Sequence, residues 1–558
     1  MMKFISNLVF VCLGIFISKA QILHINQVGF SPNSKKTFVI QLQDSSIRNY
    51  KIIDLGTQQI IKRGVLSLPE KWEYSNELLS KIDISPLTRE GNYVIKLGGK
   101  SIGGFKIEKD AYSEILKASC RYYFLNRASI DIEERYAGVY ARKAGHPDNS
   151  VSIHPSAKSL NRNETFKLSS PGGWYDAGDY NKYIVNSSIT CYTLLRAYDK
   201  YRTLHEGLNL NIPESSNTKA DLLDEIEYNL NWMMTMQDTS DGGVYHKLTE
   251  KQFCGFISPE QADAERYVVM KTTAATLDYA AIMSYYSRLI KDEVKQKEIL
   301  MLAKKAYDWA VKNPSVLYEQ PIDVNTGQYE DNNVEDEWFW ASAELFISTN
   351  EQKYTKNLKN NFAISGEANW QYVKPLGLFS LAASQNEFTI LAQKNLQIIA
   401  DKFLTSYQKS ANGTVIGINE KDFIWGSNAI AGNQSILLLE VYGFNKNLKL
   451  ISAAWSNIHY LLGQNPLDFC YVTGFGTKSP MHIHHRISSS DGILAPQPGL
   501  LAGGPNLLQQ DKKTGVEYFS NLPAMSYVDQ ESSYASNEIA INWNAPLVYL
   551  MSFAAFTK

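Results

Sequence analysis

Two aspartates three positions apart, Asp176 and Asp179, stand in the stretch GGWYDAGDYNKY at residues 172–183. Carboxylates this close repel each other, so a protein keeps them together as a helix cap, as cation ligands or for catalysis. A cap would explain Asp179, because the following run can begin a helix, but it leaves Asp176 unexplained. The spacing also differs from that of a D-x-D-x-D-G calcium loop. Capping and catalysis therefore both stay open from this stretch alone.

A further group of carboxyls stands near the other end of the chain. The stretch SYVDQESSYASNEIAINWNAPLVYL, residues 526–550, contains Asp529 and Glu538 among aromatic side chains. Glu538 precedes apolar residues and is expected to begin a helix there, where partial removal of water would raise its pKa. A protonated acid at Glu538 and an ionised aspartate elsewhere is the division of roles that glycoside hydrolysis requires.

Three histidines and an arginine are close together in MHIHHR, residues 481–486. Histidines two positions apart on a strand share a face, which makes a metal site conceivable. The adjacent positive charge of Arg486 would repel a cation. Contacts of His484 and Arg486 with the hydroxyl groups of a ligand are therefore the preferred interpretation.

A second acidic stretch, QYEDNNVEDEWFWASAELF at residues 328–346, has two interpretations. Acidic residues in the first turn of a solvated helix are stabilised by the helix dipole. Carboxylates are also the hard oxygen ligands that calcium prefers, although the spacing is not that of an EF-hand. Asp331 and Asp336 are the candidate calcium ligands.

Composition and the N-terminus limit the class of protein. The 558 residues include 57 acidic and 55 basic side chains, a formal net charge of −2, so nucleic acid is not an expected partner. Residues 1–20 combine Lys3, an apolar run and the small-x-small end Ser18-Lys19-Ala20, which predicts a cleavable signal peptide and a secreted or periplasmic protein. No other stretch is long and apolar enough to predict a membrane span. We expect a monomer.

Two regions with different periodicity must position these residues. Residues 21–108 contain short β-rich runs broken by Pro, Gly and Asn, which predicts a small antiparallel sandwich. From about residue 112 apolar residues recur at three- and four-residue steps. Such runs predict helices in KADLLDEIEYNLNWMMTMQ, residues 219–237, and at 187–201, 267–290, 297–313, 335–349, 394–407, 448–463 and 536–555. The number of helices favours a helical barrel or toroid whose loops gather at one rim.

With these elements in place, the chain resembles glycoside hydrolase family 9, the inverting β-glucanases, in the subgroup with an N-terminal immunoglobulin-like domain. The resemblance begins near Ile22, at INQVGFSP, and is carried by GGWYDAGDYNKY, YVTGFGTKSPMHIHHR and YVDQESSYASNEIAINWNAP. It implies a two-domain fold: a small all-β immunoglobulin-like sandwich over 21–108 and a large all-α (α/α)6 barrel over 109–558.

The resemblance also implies roles for individual residues. Asp179 matches the general base, Asp176 the partner that helps to hold the attacking water, and Glu538 the general acid. His484 and Arg486 match a substrate-binding pair, Asp529 the acid that supports that site, and Tyr534 a residue that contacts developing charge. An inverting enzyme needs room for water, so base and acid should lie roughly 6.5–9.5 Å apart.

The family chemistry needs no cofactor, but some relatives hold structural metals. Calcium is compatible with the acidic stretch around Asp331 and Asp336. The cysteines that hold zinc in some relatives are missing from ARKAGHPDNSVSIHP, which has His146 but no nearby cysteine, so the sequence does not support zinc. Outside the predicted signal peptide the cysteines are either free thiols or include one disulfide: Cys120, Cys191, Cys254 and Cys470.

The resulting hypothesis is a secreted glycosidase that cleaves β-1,4-glucosidic bonds of cellulose or a related β-glucan with inversion. An exo-acting glucosidase or glucosaminidase, or a xyloglucanase, would use the same catalytic residues. A non-catalytic glycan-binding protein is the remaining alternative. The sequence does not distinguish the polymer or the mode of attack.

Overall fold

The computed structural model describes residues 21–42, 46–359 and 361–557. It consists of a β-sandwich followed by a large helical domain, which confirms the two-domain fold predicted from the sequence. The predicted signal peptide, residues 1–20, lies outside the described residues.

The sandwich is built from two four-stranded antiparallel sheets. One has the order β1-β2-β6-β5 and the other β4-β3-β7-β8. In the central strand β7 the alternation of buried Tyr93, Ile95 and Leu97 with more exposed neighbours follows the two-residue period of a strand. The strands are β1 (Ile22–His24), β2 (Thr37–Gln41), β3 (Asn49–Asp54), β4 (Ile60–Val65), β5 (Glu70–Trp72), β6 (Glu77–Asp83), β7 (Gly91–Leu97) and β8 (Lys100–Ile107).

The second domain is predominantly helical, with long helices joined by loops. Its helices are α1 (Ser113–Leu125), α2 (Glu134–Ala137), α3 (Ile184–Lys200), α4 (Arg202–Glu206), α5 (Asp221–Thr235), α6 (Thr273–Ser287), α7 (Glu293–Lys312), α8 (Glu335–Thr349), α9 (Lys374–Ala383), α10 (Thr389–Lys409), α11 (Ser427–Asn445), α12 (Leu448–Leu461), α13 (Arg486–Ser490), α14 (Tyr534–Asn537) and α15 (Ile541–Phe556). The central helices α6, α11 and α15 are buried on nearly all sides, as expected for the inner layer of a helical barrel.

A small sheet lies in the loops of this domain. Its strands are β9 (Val151–Ile153), β10 (Lys167–Leu168), β11 (Lys182–Tyr183), β12 (Lys247–Thr249) and β13 (Tyr267–Val268), in the order β10-β9-β13-β12-β11. Strand β11 joins the aspartate-containing loop directly to α3 and pairs with β12. The sheet therefore connects loops that are distant in sequence beside the candidate catalytic residues.

Two predicted helices are shorter than their apolar patterns indicated. Residues 267–268 pair as strand β13, and α6 begins only at Thr273, where Thr272 caps it. Glu538 does not begin a helix as predicted, because α14 ends at Asn537 and α15 starts at Ile541. The residues between them are extended and pair with other loops, so tertiary hydrogen bonds override the local helical pattern.

The sandwich packs against the helical domain through aromatic side chains. Phe30 contacts His459 of α12, and Trp72 and Tyr74 contact Phe423 in the loop before α11. Phe30, Trp72 and His459 are buried. The two domains therefore share an apolar interface close to the loops of the barrel.

Among the described residues, none of the helices is both long and apolar enough to cross a bilayer. The four cysteines in this part of the chain are free thiols, of which Cys120, Cys191 and Cys470 are buried and Cys254 is partly buried.

Candidate active site

The two aspartates lie in a tight loop just before β11. Asp176 is 2% exposed and Asp179 is 7% exposed. The Asp176 N–H donates to the carbonyl of Asn181 at 3.1 Å, which folds the loop back on itself. Neither aspartate caps α3, because Tyr183 precedes that helix without a capping side chain. The capping alternative is therefore excluded.

Each aspartate has its own set of hydrogen-bond donors. Asp176 accepts from Asn186 Nδ2 at 2.6 Å and from the Tyr329 hydroxyl at 2.6 Å. Asp179 Oδ2 accepts from Asn181 Nδ2 at 2.5 Å and from the Tyr183 hydroxyl at 3.3 Å. These donors favour the ionised carboxylate and fix the orientation of both side chains.

Glu538 reaches the same place from the far end of the chain. The N–H of Gly178, between the two aspartates, donates to Glu538 Oε1 at 3.3 Å. A Cβ atom on Gly178 would lie 2.6 Å from the His484 carbonyl oxygen and 3.1 Å from Glu538 Oε1. Only glycine fits between the aspartates and the glutamate. The Ile541 N–H also donates to the Asp176 carbonyl at 2.9 Å and ties α15 to this loop.

Burial raises the pKa of all three carboxyl groups, and repulsion between carboxylates adds to the rise for Glu538 and Asp176. The pKa of Glu538 rises to about 8, first through burial and then through the negative charges of Asp179 and Asp176. Burial also raises the pKa of Asp176, with repulsion from Asp179 adding to it. The pKa of Asp179 is raised by burial, while nearby Arg486 opposes that rise. A protonated Glu538 facing a more readily ionised Asp179 is an acid–base arrangement.

Asp529 holds the loop beside Glu538 in position. Its carboxylate accepts from the backbone N–H groups of Met481 and His482, at 2.8 and 2.9 Å, and from Asn537 Nδ2 at 3.0 Å. Asn537 is the residue before Glu538. Asp529 thus connects the segment that carries the acid to the histidine-containing loop.

His484 lies beside Glu538 as a neutral imidazole. Its Nδ1 is 2.7 Å from the carbonyl oxygen of Glu531, which can only accept, so Nδ1 carries the proton. Burial, with a smaller contribution from Arg486, lowers the pKa of His484 to about 4, so Nε2 is an unprotonated acceptor at neutral pH. The Phe256 ring packs edge-on against His484 at a centroid distance of 5.2 Å.

Arg486 and Tyr534 occupy different positions around the carboxyl groups. Arg486 is 7% exposed, and its guanidinium donates to the carbonyls of Gly178 and Cys254. It thereby ties the aspartate loop to the segment carrying Phe253 and Phe256, whose rings also face the guanidinium.

Tyr534 is partly exposed and its ring lies 5.2 Å from that of Trp425. Trp425, Phe253 and Phe256 expose large aromatic surfaces of the kind that pack on sugar rings.

Several contacting residues were not identified from the sequence. Asn181 and Tyr183 belong to the quoted GGWYDAGDYNKY stretch but carried no separate signal. Tyr329 was included only in a candidate calcium stretch, although its hydroxyl bonds Asp176. Its φ of 50° lies in the left-handed region, which is strained for a bulky side chain.

The acidic stretch is only partly solvated: Glu330 and Glu335 are exposed, whereas Asp331, Asp336 and Glu337 are buried. This burial contradicts the solvated-helix interpretation for the two buried residues that lie in α8. Asp336 and Glu337 lie in the first turn of α8 and are 6% and 0% exposed. Both carboxylate oxygens of Glu337, and both of Asp278 on α6, lack a hydrogen-bond partner. In the part of the chain that the structure describes, no group of three or more His, Cys, Asp or Glu side chains is arranged to hold a metal ion.

The surroundings of His146 do not fit a zinc ion. Its Nδ1 is 2.9 Å from the Tyr175 hydroxyl, and its Nε2 is 3.3 Å from Glu250 Oε1. Both ring nitrogens therefore have partners within the protein. The neighbouring Ser129 uses its hydroxyl to bond the His146 carbonyl.

Comparisons with known proteins show which family the chain resembles over its length. The family model "Glycosyl hydrolase family 9" matches residues 112–551, and "Cellulase N-terminal ig-like domain" matches residues 18–101. The xyloglucan-specific endo-beta-1,4-glucanase BoGH9A of Bacteroides ovatus is 40% identical over 553 residues, covering 95% of this chain and 93% of that protein. Endoglucanase D of Acetivibrio thermocellus is 30% identical over 546 residues, covering 95% and 83%. The solved structure "Bacteroides ovatus GH9" superposes with a TM-score of 0.89 at 39% identity, covering 96% of this chain and 99% of that one.

Proposed function

Because the chain belongs to glycosyl hydrolase family 9 and is a glycosidase, we propose that it cleaves internal β-1,4-glucosidic bonds of a β-glucan with inversion. The observation that carries the proposal is the contact between the Gly178 N–H and Glu538 Oε1, which brings the acid to the turn between Asp176 and Asp179. The two aspartates on one short loop, together with a glutamate from a distant part of the chain, are the carboxyl groups that the reaction needs.

Asp179 is the proposed general base. It takes a proton from a water molecule while the water oxygen attacks the anomeric carbon of the sugar. Asp176, fixed by Tyr329 and Asn186, helps to hold that water. Because water attacks directly from the face opposite the leaving group, the configuration inverts and no covalent intermediate forms.

Glu538 is the proposed general acid. Its raised pKa, about 8, keeps it protonated at neutral pH, so it can deliver a proton to the glycosidic oxygen as the bond to the anomeric carbon breaks. After turnover Asp179 holds a proton and Glu538 has lost one, and exchange with solvent restores both. His484 Nε2, free to accept, is proposed to bind a sugar hydroxyl next to the acid, and Tyr534 to face the developing charge.

Two substitutions test the catalytic assignment. We expect Asp179→Ala and Glu538→Gln each to lower kcat on a soluble β-glucan by at least about 10³-fold, because each removes one half of the acid–base pair. Circular dichroism and thermal melting confirm that the fold persists. Near-normal hydrolysis by either folded variant would contradict the assignment.

The polymer and mode of attack need a product analysis. A relative named as a xyloglucan-specific endoglucanase favours xyloglucan as the first polymer to test, before cellulose and mixed-linkage glucan. Endo attack lowers viscosity early relative to reducing-end release, whereas an exo-acting glucosidase or glucosaminidase releases small products without that drop. Binding to these glycans without hydrolysis of any would favour the non-catalytic alternative. Secretion, predicted from residues 1–20, is tested by the N-terminal sequence of the exported protein.

A structural calcium ion near α8 is also proposed. Asp278 and Glu337 are buried without hydrogen-bond partners, and burial with repulsion from Asp336 and Asp331 raises the pKa of Asp278. A hard cation would relieve this repulsion, with backbone oxygens or water completing its shell. We expect EDTA to lower the melting temperature and calcium, but not magnesium, to restore it. Glu337→Gln should abolish that response; a wild-type melting temperature indifferent to both reagents would contradict the proposal.

A further inference from the structure

Lys247 is a buried lysine behind the aspartate loop. It lies on β12 opposite Tyr183 of β11, and it is completely buried. Its Nζ donates to the Gly327 carbonyl at 2.6 Å, to Thr326 Oγ1 at 3.0 Å and to Gln320 Oε1 at 3.2 Å. All three acceptors are uncharged. A buried ammonium group is costly unless a negative charge offsets it, so its relation to more distant carboxylates matters.

A chain of hydrogen bonds runs from Lys247 to the proposed base. The ammonium group can only donate to Thr326 Oγ1, so the Thr326 hydroxyl is free to donate to Thr249 Oγ1 at 2.7 Å. Thr249 Oγ1 is 3.0 Å from Asn181 Oδ1, and Asn181 Nδ2 donates to Asp179 Oδ2. Donors along this path can all point towards Asp179, and successive hydrogen bonds polarise one another.

The orientation of the Asn181 amide is fixed independently of Asp179. Its Oδ1 accepts from the Glu250 N–H at 2.9 Å, so Nδ2 must point at the aspartate. The Thr249 hydroxyl lies 2.7 Å from the Glu250 carbonyl as well as near Asn181, so it divides its donation between them. Strand β12 thus provides both the lysine and the backbone that orients the amide.

A second connection passes through Tyr183. The Lys247 Nζ lies 5.6 Å from the centroid of the Tyr183 ring, and the Tyr183 hydroxyl donates to Asp179 Oδ2 at 3.3 Å. The ring separates the two charges and excludes water from the space between them. Electrostatic interactions through such a dry region are stronger than through solvent.

Several charged groups near Lys247 and Asp179 together determine how readily Asp179 ionises. Near Asp179 are the carboxyls of Asp176 and Glu538, which repel its negative charge, and the guanidinium of Arg486, which attracts it. Burial lowers the pKa of Lys247 to about 7, and Asp179 is the carboxylate that most opposes this decrease.

The remaining neighbours of Lys247 are Glu330, whose charge also raises its pKa, and the rings of His246 and Tyr318. Burial lowers the pKa of His246 to about 3 and raises that of Tyr318, so both rings are uncharged at neutral pH. They add no charge that would compete with the interaction between Lys247 and Asp179.

We propose that Lys247 is a positioning residue whose protonated side chain keeps Asp179 ionised as the general base and holds the donor chain to Asn181 in place. The proposal rests on the proposed function, since it assigns Lys247 to the base of that reaction. Without the cation, three crowded carboxyl groups would face one another with Arg486 as the nearby positive charge. Protonation of Asp179 would then become easier, and the base would be lost at a higher pH.

The test compares the pH dependence of kcat/KM for the full-length protein on a soluble β-glucan. The acidic limb is the part of the profile where kcat/KM falls as the pH decreases. For Lys247→Met we expect this limb to shift to higher pH by about one unit, because loss of the cation raises the pKa of Asp179. Lys247→Arg keeps the charge and should keep the limb within the wild-type range. Thr326→Val keeps the lysine but breaks the donor chain, and should move the limb in the same direction by a smaller amount.

The control is Lys36→Met in the sandwich. Lys36 is also completely buried, and its Nζ bonds the carbonyls of Ser31, Pro32 and Ser34. The Lys36→Met substitution should lower the melting temperature without shifting the acidic limb of the pH profile. Should Lys247→Met only lower the melting temperature while the limb stays in place, the role is structural and the proposal is wrong. If that variant does not fold, an unmoved limb in Thr326→Val overturns the proposal.

Failure of the proposed function gives a different result. A wild-type protein that hydrolyses no β-glucan contradicts the function itself. In that case infrared difference spectra still measure the pKa of Asp179, whose carboxyl band is identified by subtracting the spectra of Asp179→Asn. The titration is carried out on the wild type and on Lys247→Met. An unchanged carboxyl titration in Lys247→Met would overturn the inference in that case too.

Discussion

At the scale of single residues, the site depends on a position that has no side chain. Gly178 donates its N–H to Glu538 and leaves room for the His484 backbone. Its neighbours on either side, Ala177 and the proposed base Asp179, are both buried. The contact between acid and aspartates is therefore set by backbone geometry rather than by side-chain choice.

Gly178→Ala tests this dependence. The new Cβ would meet the His484 carbonyl oxygen at 2.6 Å, so the aspartate loop or the histidine loop must shift. Because displacements of about 1 Å can cost roughly 10²-fold in rate, we expect kcat to decrease by about that factor. Steady-state kinetics measure the effect, and Ala177→Gly, with 6% exposure at the adjacent position, is the control. An unchanged kcat in Gly178→Ala would show that the loop tolerates the methyl group.

At the scale of elements, the break between α14 and α15 is what presents Glu538 to the aspartates. His484 pairs with Glu538, and Ala502 with Ile539, as isolated bridges, while the Gly503 N–H bonds the Glu538 carbonyl at 2.8 Å. These bonds hold the acid on an extended segment at the edge of the site. An uninterrupted helix through this region would leave them unmade.

Burial of the acid makes stability depend on pH. The folded pKa of Glu538, about 8, is above its ordinary value of 4.5, so the folded state favours the protonated form. That contribution is complete below pH 4.5 and disappears as the pH rises through about 8. Glutamine does not ionise, so the Glu538→Gln variant does not lose this stability as the pH rises. Relative to the wild type, its melting temperature should therefore increase by a few degrees between pH 5 and pH 9. Calorimetry at intermediate pH values gives the curve; a constant difference would mean that Glu538 is not held protonated.

The sequence predicted the elements better than their ends. The sandwich and most helices followed from periodicity, and the family resemblance indicated three carboxyl groups at distant positions that the fold brings together. The break at Glu538 was missed because its neighbours are apolar and only tertiary pairing makes them extended. Tyr329 was missed because nothing near it in sequence indicates that its hydroxyl meets Asp176. Such contacts depend on loop conformation, which local patterns do not determine.

At the scale of the whole molecule, the sandwich supports a loop of the barrel rim. Trp72 and Tyr74 pack on Phe423, and Phe423 is two residues before Trp425, whose ring faces Tyr534. The Ala524 N–H bonds the Tyr74 carbonyl at 3.0 Å, which attaches a second rim loop. The N-terminal domain is therefore expected to affect substrate binding without contacting the carboxyl groups.

Trp72→Ala tests this support. Trp72 is 4% exposed, and removing a buried indole costs about 3–5 kcal/mol of stability. We expect a lower melting temperature and a higher KM. The kcat should be largely retained, because the space left by the indole lies in the sandwich and not beside the carboxyl groups. Leu68→Ala, at a position 70% exposed, is the control and should change neither. An unaltered KM in a destabilised Trp72→Ala protein would separate the sandwich from substrate binding.

The hydrogen bond from the Ile541 N–H to the Asp176 carbonyl, together with the bridge at Glu538, has a consequence for synthesis. The aspartate loop, residues 172–183, is synthesised well before Glu538 and the extended residues that pair beside it. A nascent chain that has not reached Glu538 therefore contains both aspartates without the proposed acid. The three proposed catalytic carboxyl groups come together only after the segment through Ile541 has been made.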